Sequence, residues 1–360
     1  ALVDENGSPV YLTPKMDKQE EIYTQAMQYL DDAIADLQKE DLIDPGAQDL
    51  LYQGDAEKWL KLAYGLKARY TMHLLKRSAN KDADMEKVLE YVDNSFESAE
   101  EQAAFDVYDA NNINPLYGFF VARAGLGASE SMRSKLAEYN DPRLSRAFIT
   151  KQGASGKEQA PGTADNAVYA PNGSPEQGTS KYGTSLFMYS ISAPTLLLSY
   201  HELKFLEAEA LCRLGRDAKS ALKDAVVAGL LNAENSFSVS RKELGKTLIN
   251  PASSITDTEA ESYFDNTIEA KYTAEPLKTT MIQKYFALWG ASGEATESYN
   301  DVRRMKGLGE NFIELKNPNS FPLRCPYGNS DTTTNAEVKA AYGNGQYVYS
   351  ENVWWAGGSR

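Results

Sequence analysis

The sequence predicts a protein dominated by α-helices, built of helical pairs with a long irregular loop region packed on one side. Two observations support this fold class. Apolar residues recur at helical spacing on both sides of residues 98–194, and within that interval the periodicity is lost while Gly, Asn, Ser, Pro and Tyr dominate. A loop region this long inside a compact protein is usually functional or disordered, and its aromatic content favours a function.

The clearest helical pair spans residues 198–231. Apolar residues between Phe205 and Leu214 lie on one helical face, and Gly215 is placed to end that helix. A second amphipathic helix follows from Ala218 to Gly229. Small side chains on both stripes allow close approach, and the unit resembles a tetratricopeptide-type hairpin of about 34 residues. Because one such pair cannot bury its own apolar face, we expect further pairs.

Earlier in the chain the same helical pattern appears twice. Asp17 with Glu20 matches a capping box, and an apolar stripe from Ile22 to Leu37 predicts the first helix. Residues 55–96 predict a further pair. The first 96 residues are therefore expected to be helical.

Residues 97–195 are expected to be loops apart from a short helix near residues 131–139. After the 198–231 pair, apolar spacing predicts a helix around residues 260–268. Another starts at Pro276, since proline is favoured at a first helical position, and a third covers residues 294–306.

We expect one continuous domain over residues 1–360. Its predicted parts are a helical part (1–96), a loop-rich ligand region (97–195), helical pairs (196–306) and an irregular closing tail (307–360). The aromatic end of this tail is expected to pack back on the body.

Composition excludes several classes of function. The formal net charge of −14 and the pI near 4.8 argue against nucleic acid and against an anionic membrane surface as partners. Twenty-two Tyr stand beside only two His, which suits recognition of neutral polar ligands better than histidine-based catalysis. No apolar run is long enough to span a bilayer. Cys212 and Cys325 are too few for a disulfide framework and are expected to be core thiols.

The candidate ligand-binding residues lie in two stretches of the loop region. A sugar offers apolar faces fringed by hydroxyls, so its sites pair flat aromatic rings with amides. The candidates are Tyr108, Asn111, Asn112, Asn114, Tyr117, Tyr169, Asn172 and Tyr182. A structural interpretation stays open, because Asn-Pro and Asn-Gly are turn formers and aromatic side chains also anchor loops.

Some motifs have a structural and a functional interpretation side by side. Arg303 and Arg304 beside Asp301 can be read as an anion clamp, although arginines next to acidic residues on a helix mostly form structural ion pairs. Trp354 and Trp355 can be a stacking platform or a hydrophobic anchor, and we favour the anchor.

No catalytic residue, cofactor or metal site is assigned. His73 and His201 each lack a second histidine or a cysteine at ligand spacing, so a transition-metal site is not expected. No EF-hand pattern for calcium occurs.

Several motifs together resemble the SusD/RagB family, the surface-exposed glycan-binding lipoproteins of Bacteroidetes. The motifs are DAEKW at residues 55–59 with LKARY at 66–70, NDPRL at 140–144, FLEAEA at 205–210, IQKY at 282–285 and YNDVRR at 299–304. The segment from Phe321 to Tyr327, with Asn335, is similar to the family's closing segment. Each motif alone is weak, but their order and spacing make a strong match.

The resemblance implies a non-catalytic protein that captures oligo- or polysaccharide for nutrient uptake at the outer-membrane surface. Its partner would be a SusC-like TonB-dependent transporter, and its membrane contact would come only from a lipid anchor absent from this chain. The family normally begins with a signal peptide, a lipidated cysteine and a further segment of roughly a hundred residues, and we expect these to be missing here.

Other functions remain open. Some members of the family are adapted to peptides, so peptide capture is the first alternative, and a helical-repeat scaffold for protein interactions is another. A glycoside hydrolase needs two placed carboxylates, and 51 acidic residues make chance pairs unavoidable, but no Gly-x-Ser-x-Gly motif or phosphate loop is present.

Overall fold

The computed structural model describes residues 3–10, 13–40, 43–123, 126–152, 157–163, 165–173 and 181–359. Its helices in the first half are α1 (Gln19–Leu37), α2 (Ala56–His73), α3 (Lys81–Asp93), α4 (Pro115–Arg123) and α5 (Glu130–Glu138). The later helices are α6 (Tyr200–Arg213), α7 (Lys219–Leu244), α8 (Asp257–Tyr263), α9 (Glu269–Ala274), α10 (Pro276–Ala287), α11 (Ala295–Leu308), α12 (Asn329–Thr334) and α13 (Ala336–Tyr342). The predicted fold class, dominated by α-helices, is confirmed.

Short strands occur only between α3 and α6 in the described part of the chain. They are β1 (Ala103–Phe105), β2 (Phe148–Gln152), β3 (Glu158–Pro161), β4 (Thr184–Ser185) and β5 (Thr195–Leu198). β1 pairs antiparallel with β5, and β2 lies between β3 and β4 in a small antiparallel sheet. The sequence analysis did not predict these strands.

Helices α2 and α3 form the predicted pair of residues 55–96. The Asp55 carboxylate caps α2 by accepting from the backbone N–H groups of Glu57 and Lys58, each at 3.1 Å. The capping box predicted at Asp17 is wrong. Residue Lys18 occupies the cap position of α1 in extended conformation and makes no side-chain bond, so Asp17 lies outside the helix.

The helical pair predicted at residues 198–231 is α6 and α7. Ser199 caps α6 by accepting from the Glu202 backbone N–H at 3.0 Å. Helix α7 continues to Leu244, beyond the predicted end. Ala233 and Phe237 continue its buried face, although most residues after Leu231 are polar.

Helix α6 lies between two hydrophobic clusters. Phe205 and Ala208 pack into the larger cluster with α7 and α10, whereas Leu203 and Leu206 pack into a second cluster with α2 and α3. One helix therefore joins the N-terminal pair to the C-terminal helices, which explains why its sequence is apolar on more than one face.

A helix was missed in the loop region. Residues 115–123 were interpreted as irregular, but they form α4 with Pro115 as its first residue. The buried Asn114 side chain accepts from the backbone N–H of Leu116 at 2.8 Å and so caps this helix. The predicted short helix near residues 131–139 is confirmed as α5.

The helix predicted around residues 260–268 contains a π-helical turn. α8 passes into a π turn at Phe264–Ile268 before α9 begins. A π turn adds a residue to the helical repeat, and here Tyr263, Phe264 and Ile268 are all buried. Helix α10 then starts at Pro276, as predicted.

Ion pairs cross the interior between α6, α10 and α11. The Arg304 guanidinium is fully buried and contacts the Glu209 carboxylate at 2.5 and 2.8 Å and Asp301 at 2.7 Å. Lys284 reaches Asp301 at 2.8 Å. The structural interpretation of Arg304 is therefore confirmed, and its neighbour Arg303 instead stacks on Tyr299 at 4.1 Å.

The closing tail is less irregular than predicted, since it contains α12 and α13. Its end packs back on the body as expected. Trp355 is 3 % exposed and stacks on His73 with ring centroids 5.7 Å apart, which supports the anchor interpretation. Cys325 in this tail is exposed, so its prediction as a core thiol is wrong, and both cysteines are free.

Acid is expected to destabilise the fold through Glu297. Burial opposes ionisation of this carboxyl, but the hydrogen bond from His73 at 2.8 Å and the charges of Arg69 and Lys284 hold its pKa well below its usual range. A carboxyl with a depressed native pKa stabilises the fold above its unfolded pKa of about 4.3, and that contribution disappears as the pH falls through the native pKa. Urea unfolding between about pH 7 and pH 3 should show that the free energy of unfolding falls less steeply with acid in Glu297→Gln than in the natural chain. An equal decline in both would contradict this role.

Candidate ligand-binding site

A cleft of about 990 Å³ lies between α5 and α10. Four segments form its walls. They are α5, residues 171–172, α9 together with one side of α10, and the segment 312–318. We call this surface the α5–α10 cleft.

Asn172 joins two walls of the α5–α10 cleft. Its amide oxygen accepts from the Ser129 hydroxyl at 2.9 Å, and its amide nitrogen donates to the Asn317 oxygen at 3.1 Å. Ser129 is also the cap of α5. The position of Asn172 therefore fixes the start of α5 against segment 312–318 and places an amide at the rim of the cleft.

Aromatic rings lie beneath the cleft and form its floor, where Phe286 is fully buried, Tyr139 is 8% exposed and Tyr285 is half-buried. Tyr139 meets Phe286 edge to face at 5.4 Å, and Tyr285 lies beside them. The Arg143 guanidinium, paired with Asp141 at 2.7 Å, donates to the Phe286 carbonyl at 2.7 Å and holds this floor in place. Asp141 and Arg143 thus form a turn with an internal salt bridge.

The Tyr139 hydroxyl is a hydrogen-bond donor at neutral pH. Burial, with the nearby charges of Glu138 and Glu275, raises the pKa of Tyr139 to about 12. A protonated phenol both donates and accepts, which matches the chemistry of a sugar hydroxyl.

A smaller, mostly apolar slot of about 230 Å³ adjoins the cleft, and Tyr285 lines both. Its other lining side chains are Met132, Trp289, Ala295, Ser298, Tyr299, Val302, Leu315 and Phe321. The cleft and slot together provide aromatic faces beside polar groups.

The predicted site residues between Tyr108 and Asn114 form hydrogen bonds within the protein that hold their loop in place. The Tyr108 hydroxyl bonds the Thr195 hydroxyl at 2.9 Å, and the backbone N–H groups of Asn111 and Asn112 donate to Asp109. Asn114 is 1 % exposed, and its amide group donates to the Ala193 carbonyl at 2.8 Å. Asn111 and Asn112 therefore belong to a loop held by Asp109, and Asn114 of the Asn-Pro pair is buried within the fold, where it caps α4.

The remaining predicted residues are spread over different places. Tyr169 is buried against Phe148 at 5.4 Å, and buried Tyr182 lines a hollow of about 210 Å³ beside the β2–β3–β4 sheet. Tyr117 lies on α4 and donates to Glu243 at 3.0 Å. Only Asn172 of the predicted set is among the described residues that line the α5–α10 cleft.

The sequence analysis did not assign Tyr139, Tyr285 or Phe286 to a site. Both sequence neighbourhoods were noted, since NDPRL follows Tyr139 and IQKY ends at Tyr285, but only as family motifs. The IQKY motif lies on a helix whose apolar side chains were expected to enter the core. A helical pattern does not show that one side of this helix opens into a cleft.

Within the described ranges, no cluster of His, Cys, Asp and Glu is arranged to hold a metal ion. None of the helices there is long and apolar enough to cross a membrane.

Comparison with known proteins identifies the family. A SusD-like family model, described as starch-binding associating with outer membrane, matches residues 4–327. The crystal structure of a SusD/RagB family protein from Bacteroides thetaiotaomicron is 68% identical in sequence, with a TM-score of 0.93 over 97% of this chain and 75% of that chain. No curated protein matches the chain.

More distant structures share the fold. A chitin-binding SusD homolog from Flavobacterium johnsoniae is 19% identical, with a TM-score of 0.65 over 99% of this chain and 76% of that chain. A SusD homolog from Bacteroides fragilis is 20% identical, with a TM-score of 0.71 over 95% of this chain and 76% of that chain. The match over nearly its whole length and the 68% identity show that the chain belongs to the SusD-like family of binding proteins associated with the outer membrane.

Proposed function

We propose that this protein binds an oligo- or polysaccharide in the α5–α10 cleft, without catalysis, and delivers it to a SusC-like TonB-dependent transporter. The observation that carries the proposal is the cleft itself. Its volume of about 990 Å³ is at the upper end of the range of ligand pockets, and it combines an aromatic floor with an amide rim.

The chemistry of the lining supports a sugar ligand. The half-buried ring of Tyr285 offers a face for sugar C–H groups, and Asn172 offers an amide for hydroxyls. The family description and the chitin-binding relative support the same ligand class. Capture at the surface of the outer membrane as a lipoprotein, and the transporter as partner, rest on the family membership.

Peptide capture remains the alternative, and one observation favours it. Positively charged lysines and negatively charged glutamates both line the cleft. Such a lining would also complement the charged groups of a peptide. A glycan array together with a mixed-peptide library, both probed with the purified chain, distinguishes these ligand classes.

Two substitutions locate the site. For a glycan found on the array, Tyr285→Ala and Asn172→Ala are each expected to weaken binding about three- to tenfold, since an aromatic contact and a hydrogen bond are each worth about 0.5–1.5 kcal/mol. Tyr349→Ala is the matched control, because that tyrosine is 62% exposed and absent from the cleft lining. Isothermal titration calorimetry gives the Kd of each variant.

The same titration tests the sequence-derived site. Binding lost in Tyr182→Ala, but kept in Tyr285→Ala, would move the site from the cleft to the hollow beside the sheet. The same result for Tyr117→Ala would move it to the surface around α4 and Glu243. Binding of peptides alone would replace the glycan proposal.

A further inference from the structure

The charged groups that line the α5–α10 cleft are not fully matched. Most of its carboxylates already have a cation. The pairs are Glu130 with Arg133 at 3.8 Å, Glu275 with Lys278 at 2.9 Å and Glu314 with Lys316 at 2.5 Å. These carboxylates are therefore neutralised within the rim.

Two cations of the lining have no carboxylate within ion-pair distance among the described residues. The Lys135 ammonium donates to the Ser131 hydroxyl at 2.7 Å, and the Lys271 ammonium lies 4.5 Å above the Tyr139 ring. The lining carboxylate left without an ion pair is Glu138, which is exposed. Unpaired cations thus outnumber unpaired anions in this cleft, although the whole chain carries a net charge of −14.

The unmatched cations border one aromatic ring. Lys135 and Tyr139 are four residues apart and so share one side of α5, and Lys271 approaches the same ring from α9. Burial is the main cause that lowers the pKa of the Lys135 ammonium. The charge of Lys316 also lowers this pKa, whereas the charges of Glu314 and Glu138 raise it. A half-buried ammonium with only a neutral hydroxyl as partner is incompletely solvated, and an anion would stabilise it.

We propose that Lys135 and Lys271 receive an anionic group of the bound glycan beside Tyr139, so that the ligand class is a glycan with a carboxylate or sulfate. This inference rests on the proposed function. The acidic chain repels dense polyanions, but salt screens charges beyond about 8 Å, so the nearby ammonium groups dominate inside the cleft. The ligand is expected to carry isolated acidic units.

The test uses a glycan array that contains neutral, uronate-bearing and sulfated oligosaccharides. Its acidic binders are then titrated beside a neutral matched form of the same backbone, methyl-esterified for a uronate and desulfated for a sulfate. The acidic form is expected to bind at least tenfold more tightly at low salt, with the difference shrinking as salt is added. The chemical form that binds identifies carboxylate or sulfate as the source of the charge.

Variants assign the effect to the two lysines. Lys135→Gln and Lys271→Gln are each expected to weaken binding of the acidic form about five- to tenfold and leave the neutral form unchanged. Lys219→Gln is the matched control, because that exposed lysine is paired with Glu269 at 2.8 Å and is absent from the cleft lining, so it should bind the acidic form as the natural chain does. Melting temperatures check that the variants are folded.

The outcomes separate the two proposals. If the array yields only neutral glycans, or if the two lysine variants bind the acidic form as the natural chain does, the inference is overturned while glycan binding stands. If no glycan binds at all, the proposed function itself fails. Acidic binders that depend on Lys135 and Lys271 support both.

Discussion

Replacing Arg304 with methionine is expected to lower the free energy of unfolding by about 3–5 kcal/mol, because it removes one member of a buried ion-pair network. Arg304 contacts Glu209 and Asp301 with its side chain fully buried. Glu209 keeps Arg213 at 2.8 Å and Asp301 keeps Lys284 at 2.8 Å, but Arg213 is also paired with Glu310 at 2.8 Å. Two cations then face three carboxylates, which leaves one excess negative charge. Burying that charge is the source of the cost.

A matched control separates this effect from the loss of any ion pair. Lys278→Met breaks the pair with Glu275, whose side chains are 39% and 59% exposed. Exposed pairs contribute about 0–1 kcal/mol, so this variant should unfold close to the natural chain. Urea denaturation followed by circular dichroism measures both.

Charge balance provides a second check on the Arg304 network. Asp301→Asn added to Arg304→Met restores equal numbers of cations and carboxylates, so the double variant is expected to lose less free energy of unfolding than the sum of the two single variants. A double variant less stable than the sum of the single changes would show that hydrogen-bond geometry, rather than charge balance, decides the stability of the network.

The second large effect is expected at Gly229, where leucine should destabilise the fold by about 3 kcal/mol. A Cβ atom on Gly229 would lie 2.8 Å from the Cβ of Ala287 on α10. Both atoms are attached directly to helical backbone, so the helices must separate to make room, and packing is lost along α7 and α10.

The neighbouring residue provides the control for helix propensity and side-chain size. Ala228 on α7 lines a surface groove of about 340 Å³, so Ala228→Leu adds the same kind of side chain where space exists. Its unfolding free energy should change by less than about 1 kcal/mol. Equal losses at both positions would show that the α7–α10 contact is not tightly packed.

The Gly229 contact shows what the sequence predicts about helix packing and what it does not. The small residues predicted close approach of the helices within the 198–231 pair. The structure instead places Gly229 closest to Ala287 of α10, and a Cβ built on Gly229 would lie 4.0 Å from the His201 Cβ of α6. The periodicity shows that a helical face is buried. It does not show which helix covers that face, because partner choice depends on residues far apart in the chain.

The sequence also did not show which tyrosines of the loop region are buried. Tyr169 and Tyr182 have the composition of a sugar site, yet both are buried in the structure. A tyrosine can pack its ring in a core and place its hydroxyl at a polar edge, so its presence in a loop does not indicate exposure. Exposure is set by the neighbouring segments that fold over it.

The helical pairs and most of their start signals could be predicted from the sequence, because caps, proline positions and apolar periodicity act over short stretches of chain. The family could be predicted from the order and spacing of its motifs. The location of the candidate site, in contrast, depends on the tertiary structure. The α5–α10 cleft combines side chains such as Lys135, Asn172 and Tyr285, which are distant in sequence. Long-range packing brings them together, and the free energy of that packing belongs to the whole fold rather than to any local pattern.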